Sequence, residues 1–396
     1  MKIVHIIGYF QPEYGYEEYY TALNQAKMGH EVHVLTSNWI ALLPGLKKQE
    51  RKRRIGIELV DGIIVHRLWG IDIPRDMIFM PRAFSELREI KPDVVHCHGA
   101  NQPVNFLVPL LKKRLGFTLI YDHHAYFYDR HSYSYRGLNP LRWLFKLEYM
   151  LFRQNANKWA FSRADHIIAV LDASHEHLVS YLKVDPSKVT LIRLGVETSL
   201  FRRDEEAGKE IRNKYGFAPS DRVILFPGTF SRRKKIEHLL EVLAELESRF
   251  KLLLVGDGKP DYISELLLQI KQRDLHKRVF ITGKVETKDL YRYYSACNYS
   301  LFLNSSSVSI LESMSCGVPT IISDQQEFAV YAQNGTGWVL HGRTLSEWTA
   351  EIKAILHNDE EWKMRGKKSQ RYMEESYSYR NYALQVQSVY NRFVSR

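Results

Sequence analysis

The sequence predicts an α/β protein made of two doubly wound parallel-sheet domains that face each other across a central cleft. Three observations lead there. Short β-rich runs alternate with helical patterns, the rhythm of a parallel sheet covered on both faces. The rhythm stops near Gly195, passes through a polar stretch at Phe201–Arg222, and restarts at Val223. The 396 residues leave room for two domains at roughly 150 residues each.

Each element has a local reason. Lys2–Gly8 reads as the first strand, because its apolar stretch is short and no small-residue cleavage site follows, unlike a signal peptide. Glu17–Met28 is a helix closed by Gly29, the residue type that ends helices in the left-handed conformation. Strands follow at Glu31–Thr36, Ile63–Leu68, Asp93–His96, Thr118–Asp122, His166–Val170 and Lys188–Ile192. Helices fit between them at Arg82–Ile90, Val104–Leu115, Leu141–Phe161 and Ser174–Leu182. Together they assign residues 1–198 to the first domain. The second domain, residues 199–375, takes strands at Val223–Pro227, Lys251–Val255, Val279–Thr282, Tyr299–Leu303 and Val318–Ser323. Its helices are expected at Ile236–Ser248, Tyr262–Arg273, Thr287–Ala296, Ile310–Cys316, Leu345–His357 and Glu360–Glu375. The last helical stretch, residues 376–396, is expected to pack back on the first domain. Ligands of doubly wound sheets sit beyond the carboxyl ends of the strands, so the chemistry belongs there.

Composition narrows the function classes. Hydrophobic residues at 45% and charged residues at 26% exclude a disordered or collagen-like chain. No run reaches the ~20 apolar residues of a membrane-spanning helix. Cys97, Cys297 and Cys316 are far apart and lack zinc-type spacing, so a reducing, cytoplasmic location is expected. The net charge of +11 calls for an anionic partner: nucleic acid, anionic lipid or a phosphorylated small molecule. No nucleic-acid-binding signature is present, so nucleic acid is not expected.

The second half holds the clearest binding pattern. Gly228 and Thr229 follow a strand, and the cations Arg232, Arg233, Lys234 and Lys235 precede a helix. Backbone N–H groups, the helix dipole and side-chain charge would make this an anion site; a solvated basic loop is the alternative. No Walker A pattern accompanies it. Gly256 and Gly258 follow the next strand, where glycine also serves simple turn chemistry. Asn304–Pro319 then reads as a strand end, a polar loop with Ser306 and Ser307, a short helix carrying Glu312, and a turn. A carboxylate there can accept hydrogen bonds from a vicinal diol such as a ribose, or it can simply compensate the helix N-terminus.

In this order these elements resemble the donor half of the GT-B glycosyltransferases of family 4. That family's pattern runs Gly-Arg-Leu, three residues, Lys; then Val-Gly-x-Gly; then a Glu pair; then Ala-Met-Ala-x-Gly-x-Pro. This sequence supplies Gly228 and Lys234, then Gly256 and Gly258, then Glu312, Met314, Gly317 and Pro319. The first half agrees. Pro12–Glu17, with Gly15, is similar to the family's Gly-Gly loop, and Gly29–Val32 to its Gly-His-Glu-Val. Asp93–Gly99 resembles Asp-Val-Val-His-x-His, and Ile120–His124 resembles the strand whose last histidine lies beside the donor sugar. Ser162–Val170 and Leu194–Glu197 also fit, so the resemblance spans nearly the whole chain.

The resemblance implies two Rossmann-like domains and a retaining transferase. It would move a hexose from a nucleotide diphosphate sugar to a hydroxyl of a glycan or lipid-linked glycan. Lys234 then resembles the diphosphate-binding catalytic lysine, His124 the catalytic donor-side histidine, and Glu312 the ribose-binding glutamate. Gly15, Gly228, Thr229, Arg233, Gly256, Gly258, Ser306 and Ser307 complete the implied donor site. No cofactor and no essential metal are implied.

Three departures bear on activity. Thr229 stands where the family has a phosphate-binding arginine, for which Arg232 or Arg233 is the candidate substitute. Tyr16 replaces the second glycine of the first loop and is expected to narrow it. No carboxylate takes the place of the first Glu; counting back from Glu312 gives Asn304, and sugar contacts would fall to the amides of Ser305–Ser307. Two other readings stay open: a nucleotide-sugar epimerase of the same fold, and a non-catalytic nucleotide-sugar-binding partner subunit. His96, His98, His123 and His124 form pairs that suit zinc, but no Asp-x-Asp pattern goes with them, and no metal is expected. Lys47, Lys48, Arg51, Lys52, Arg53 and Arg54 form a basic cluster near the amphipathic stretches Val104–Arg114 and Leu141–Arg153. These suggest peripheral contact with an anionic membrane at its inner face; a solvated charged face and ordinary packed helices are the alternatives.

Overall fold

The computed structural model describes residues 1–41, 51–73, 77–99, 102–124 and 154–394. They form two compact units, Met1–Leu194 with Tyr379–Arg396, and Gly195–Ser378.

The first unit contains β1 (Lys2–Ile7), β2 (Glu31–Ser37), β3 (Gly56–Val60), β4 (Ile63–Leu68), β5 (Ile71–Ile73), β6 (Met77–Phe79), β7 (Val94–His98), β8 (Thr118–His123), β9 (His166–Ala169) and β10 (Val189–Leu191). Eight of them form one sheet in the order β10-β9-β8-β7-β1-β2-β4-β3, while β5 and β6 pair separately. All sheet neighbours run parallel except β3, which lies antiparallel to β4 at the edge. The middle strands are buried on both faces: Ile3, Val4 and Ile6 of β1 and Val94 and Val95 of β7 have no exposed surface. This is what β-branched runs achieve when helices cover both sides. The helices are α1 (Glu17–Lys27), α2 (Ala83–Ile90), α3 (Pro103–Leu115), α4 (Gln154–Arg163) and α5 (Asp172–Glu176). α3 starts on Pro103, carries Lys112, Lys113 and Arg114 in its last turn, and ends at Gly116 in the left-handed region. Each feature suits the helix dipole or the unpaired terminal groups.

The second unit contains β11 (Arg222–Pro227), β12 (Phe250–Val255), β13 (Val279–Ile281), β14 (Tyr299–Phe302), β15 (Thr320–Ser323) and β16 (Trp338–Leu340), in the order β13-β12-β11-β14-β15-β16. Every neighbouring pair is parallel. Its helices are α6 (Glu205–Lys214), α7 (Ile236–Ala244), α8 (Pro260–Gln272), α9 (Leu290–Ser295), α10 (Ser309–Ser315), α11 (Leu345–Leu356) and α12 (Asp359–Ser376). The Asp204 carboxylate caps α6, and a Thr344–Glu347 capping box starts α11. α13 (Tyr379–Val394) belongs to the first unit. There Tyr379 stacks on Tyr20 of α1 at 4.7 Å, and the Tyr390 hydroxyl lies 2.6 Å from His96 Nδ1.

Strand order reverses between β1 and β7 in one sheet and between β11 and β14 in the other. Such switch points are where doubly wound sheets open a crevice.

Several expectations need correction. The predicted helix Ser174–Leu182 is α5 followed by a π-helical turn, His177–Tyr181, in which buried His177 hydrogen-bonds His123 at 2.9 Å. β3, β5, β6 and β16 are additional strands. The basic cluster is not one solvated face. Arg51 is buried with its guanidinium 3.5 Å from Asp72, Arg53 pairs with Glu13, and Lys52 Nζ lies 4.6 Å from the Trp39 ring centre. Lys47, Lys48 and the stretch Leu141–Arg153 lie outside the described residues. Val104–Arg114 is mostly a packed helix, with Val104 and Val108 in the core and Leu107 and Leu110 exposed.

Candidate active site

Three loops of the second unit leave the carboxyl ends of β11, β12 and β14, neighbours in the sheet. After β11, Gly228 takes φ +116°, and the chain returns through a 3-10 turn, Arg232–Lys234. Lys234 Nζ then lies 3.0 Å from where a Gly228 Cβ would stand, so the glycine makes room for the ammonium. Burial first, then the Arg233 charge beside it, lower the Lys234 pKa to about 8. This is a partly desolvated cation that gains by meeting an anion. Arg232, one of the two candidates for the absent arginine, pairs with Glu265 and Asp261 of α8. Arg233 and Thr229 are exposed beside Lys234.

The second loop supports the first. A Cβ on Gly256 would stand 2.1 Å from the Gly228 carbonyl oxygen, and one on Gly258 would stand 2.5 Å from that of Phe230. The Gly228 N–H donates to Val255 O at 2.8 Å and the Phe230 N–H to Asp257 O at 2.7 Å. Gly256→Ala is therefore expected to destabilise this unit by about 2–4 kcal/mol, from left-handed φ strain plus backbone overlap. Urea denaturation measures it; an unchanged midpoint and slope would mean that the two turns separate freely.

The third loop brings Glu312. The Tyr294 hydroxyl, from α9, donates to Glu312 Oε2 at 2.6 Å. Burial pushes the carboxyl up to about 7, against the opposing pull of that hydrogen bond. Ser307 accepts from the Ser309 hydroxyl at 2.9 Å, and Ser306 Oγ faces the Phe328 N–H at 3.5 Å. Asn304, at the place of the absent Glu, donates to His238 Nδ1 at 3.0 Å.

In the first unit the carboxyl ends of β1, β7 and β8 converge. Gly15 has φ +62° and closes the turn Pro12–Tyr14; a Cβ there would stand 2.8 Å from the Tyr20 hydroxyl. Tyr16 is 47% exposed, with its ring stacked on that of Tyr14 at 6.2 Å. Next comes buried Glu17, the first residue of α1. His98 ends β7, Asp122 lies in β8 and His124 follows it. His98 Nδ1 is 2.5 Å from Asp122 Oδ2, and His124 Nε2 is 3.4 Å from Asp122 Oδ1. Glu17 Oε2 is 3.7 Å from His98 Nδ1 and 3.6 Å from His124 Nε2. Burial alone would lower both histidines, but Asp122 first, then Glu17 and Glu18, raise each to about 9. Burial would raise Asp122, but His98 and His124 hold it well below the usual carboxylate range.

Of the four histidines singled out in the sequence, three surround Asp122: His98 and His124 flank it, and His96 stacks on His98 at 4.6 Å with its Nε2 3.5 Å from Asp122 Oδ2 and its Nδ1 on the Tyr390 hydroxyl. His123 turns away and pairs with His177. Glu17, Asp122 and Tyr294 were missed. Asp122 was legible in principle, since it lies two residues before His124 and so on the same side of an extended strand.

The family model for glycosyl transferases group 1 matches residues 208–373, and that for Glycosyltransferase Family 4 matches residues 19–200. Alpha-monoglucosyldiacylglycerol synthase of Streptococcus pneumoniae is 25% identical over 62% of this chain and 56% of its own length. D-inositol 3-phosphate glycosyltransferase of Mycobacterium marinum is 22% identical over 50% of this chain and 43% of its own length. The chain thus spans about half the length of these curated relatives. Among solved structures, Anabaena HepE in complex with UDP superposes with a TM-score of 0.74 at 16% identity, covering 99% of this chain and 100% of that one. Sucrose-phosphate synthase of Thermosynechococcus elongatus superposes with a TM-score of 0.76 at 17% identity over 100% of both chains. With one family model on each half and the fold matched along its length, the chain belongs to the GT-B glycosyltransferases of the family 4 type.

Proposed function

We propose that this glycosyltransferase moves a hexose from a nucleoside diphosphate sugar, with retention at the anomeric carbon, to a hydroxyl of a glycan or lipid-linked glycan. The observation that carries the reading is the Lys234 ammonium held over Gly228, at the switch point of the second sheet. Glu312 stands beyond the neighbouring strand. A cation suits a diphosphate, and a carboxylate with one engaged oxygen suits a ribose hydroxyl. The Anabaena neighbour, solved with UDP and also with UDP-glucose, supports such a donor. The Streptococcus relative, named for a glucosyl lipid, supports a lipid-linked acceptor.

In the transfer, the bond from the anomeric carbon to the diphosphate oxygen breaks and negative charge grows on the leaving group. Lys234, Arg233 and the loop amides stabilise that charge. These cations supply the positive charge there, so no essential metal is proposed at the diphosphate. His124, with its side chain 37% exposed, is the donor-side group of the first unit. A panel of nucleotide sugars incubated with a native glycolipid extract, read by mass spectrometry, tests the reading. The expected result is one hexose added to a lipid, with nucleoside diphosphate released. An isomerised donor would instead identify an epimerase, and a bound but unchanged donor a scaffold subunit.

The location proposed is the cytoplasmic face of a membrane, held peripherally. No helix among the described residues is long and apolar enough to cross one. Ile55, Ile57 and Leu59 are 48%, 68% and 74% exposed on and beside edge strand β3, next to exposed Lys52 and Arg54. Each basic residue near an anionic surface contributes about 1 kcal/mol. Lys52→Gln with Arg54→Gln is therefore expected to weaken co-sedimentation with anionic vesicles by roughly tenfold or more, and added salt should act in the same direction. Equal pelleting of variant and wild type would reject this surface.

A further inference from the structure

The buried charges of the first unit are arranged around one histidine. His124 Nε2 lies 3.4 Å from Asp122 Oδ1 and 3.6 Å from Glu17 Oε2. Both carboxylates are buried, and each is tied back into the fold. Glu17 Oε1 accepts the Thr21 hydroxyl at 2.9 Å, and Asp122 Oδ1 accepts the Gly99 N–H at 2.8 Å. Neither carboxylate can swing away, so the imidazole that meets them is held with Nε2 toward them.

The hydrogen inventory around His98 fixes a charge. His5 Nε2 is 2.7 Å from Gln25 Oε1, so it carries a hydrogen. His5 Nδ1 is then the acceptor, and His98 Nε2, 2.9 Å away, must donate to it. His98 Nδ1 lies 2.5 Å from Asp122 Oδ2, in an ion pair rather than an aligned hydrogen bond. A bare nitrogen there would set its lone pair against a carboxylate oxygen. His98 therefore holds hydrogens on both nitrogens and is an imidazolium. It balances one buried carboxylate. The second needs a second cation, and His124 is the group in reach of both.

We propose that Asp122 and Glu17 are positioning residues for hexose transfer: they orient His124 and hold it as an imidazolium, with His98 as the fixed cation beside them. This rests on the reading of His124 as the donor-side group. The charge state decides what the ring offers a ligand. An imidazole held with its hydrogen on Nε2 can only accept at Nδ1, whereas an imidazolium donates there. The surrounding groups agree. Burial lowers the His124 pKa, but Asp122, then Glu17 and Glu18, outweigh it and raise it to about 9. Glu18 of α1 is itself raised to about 7, by burial and then by Glu17. On β7 and β8, burial and neighbouring histidines keep His96 and His123 neutral. On α13, burial raises Tyr382 and Tyr390 well above their usual values, so they add no charge.

The test follows the His124 ring resonance by NMR in the full chain labelled with carbon-13 histidine, assigned by its loss in His124→Gln. In wild type it should titrate at about 9. Asp122→Asn and Glu17→Gln should each lower that value, Asp122→Asn to the ordinary imidazole value of about 6.5 or below. By the charged fractions, kcat/KM of Asp122→Asn should then fall about thirtyfold below wild type at about pH 8. The deficit should close to a few-fold below about pH 6, where an unassisted imidazole is charged as well. A merely structural role would give the same deficit at every pH, and that result overturns the proposal. So does a wild-type resonance that titrates at or below about 6.5, or one left unmoved in both folded variants. A chain that transfers no hexose would overturn the transfer reading instead, and the resonance would still decide the charge of His124. Should Asp122→Asn not fold, Glu17→Gln, which keeps an oxygen for Thr21, carries both comparisons. If neither folds, the wild-type titration decides.

Discussion

Lys234→Ala is expected to weaken nucleoside diphosphate binding by about 1.5–3 kcal/mol, or roughly ten- to hundredfold, the range for hydrogen bonds to charged groups. kcat/KM should fall as well, because the leaving oxygen carries more negative charge in the transition state than in the bound donor, and Lys234 would stabilise that difference. Lys234→Arg should rescue poorly. The ammonium occupies a place only 3.0 Å from a notional Gly228 Cβ, and a planar guanidinium is bulkier than that niche. Arg232 is paired with Asp261 and Glu265. Calorimetry with UDP, on variants whose thermal unfolding matches wild type, measures the effect. Unchanged affinity in a folded Lys234→Ala chain would remove this lysine from the site.

Much of this arrangement was legible in the sequence, because it depends on neighbours along the chain. The βαβ rhythm is local, and so are the glycine turns after β11 and β12. Glu312 is placed by its own short helix. What escaped depends on strand order. Glu17, His98 and Asp122 are far apart in sequence and meet only because β8, β7 and β1 are adjacent in the sheet. Tyr294 reaches Glu312 across 18 residues, from a helix that the sequence places without its orientation. Charge alone also misled. Arg51 reads as one cation in a run, yet Asp72 of β5 draws it into the interior. β3 went unrecognised because its isoleucine and leucine face outward, so no burial pattern distinguishes it from a loop.

Nucleoside diphosphate affinity is expected to be greatest between about pH 7 and about pH 8, and the two limbs should belong to different residues. The Glu312 carboxyl, raised chiefly by burial, titrates near 7 in the free protein. Below that pH it is protonated and accepts poorly from a ribose hydroxyl, so affinity rises as pH increases through 7. Lys234, lowered chiefly by burial and then by Arg233, titrates near 8. Above that pH it is neutral until the ligand supplies a reason to reprotonate it, so affinity falls as pH increases through 8. Each limb can reach about tenfold per pH unit. The groups around Glu312 do not blur the profile. Tyr294 and Cys316 are both raised well above their usual values and stay neutral throughout. Glu312→Gln should flatten the acid limb that belongs to the protein, and Lys234→Ala the alkaline one. The ligand's terminal phosphate, with a pKa near about 6, contributes its own fall on the acid side. A nucleoside without phosphates separates the two contributions: uridine should keep the limb near 7 and lose the limb near 8. Calorimetric titrations of uridine and UDP across this range provide the measurement. If uridine affinity is flat through pH 7 in wild type, the ribose does not rest on Glu312.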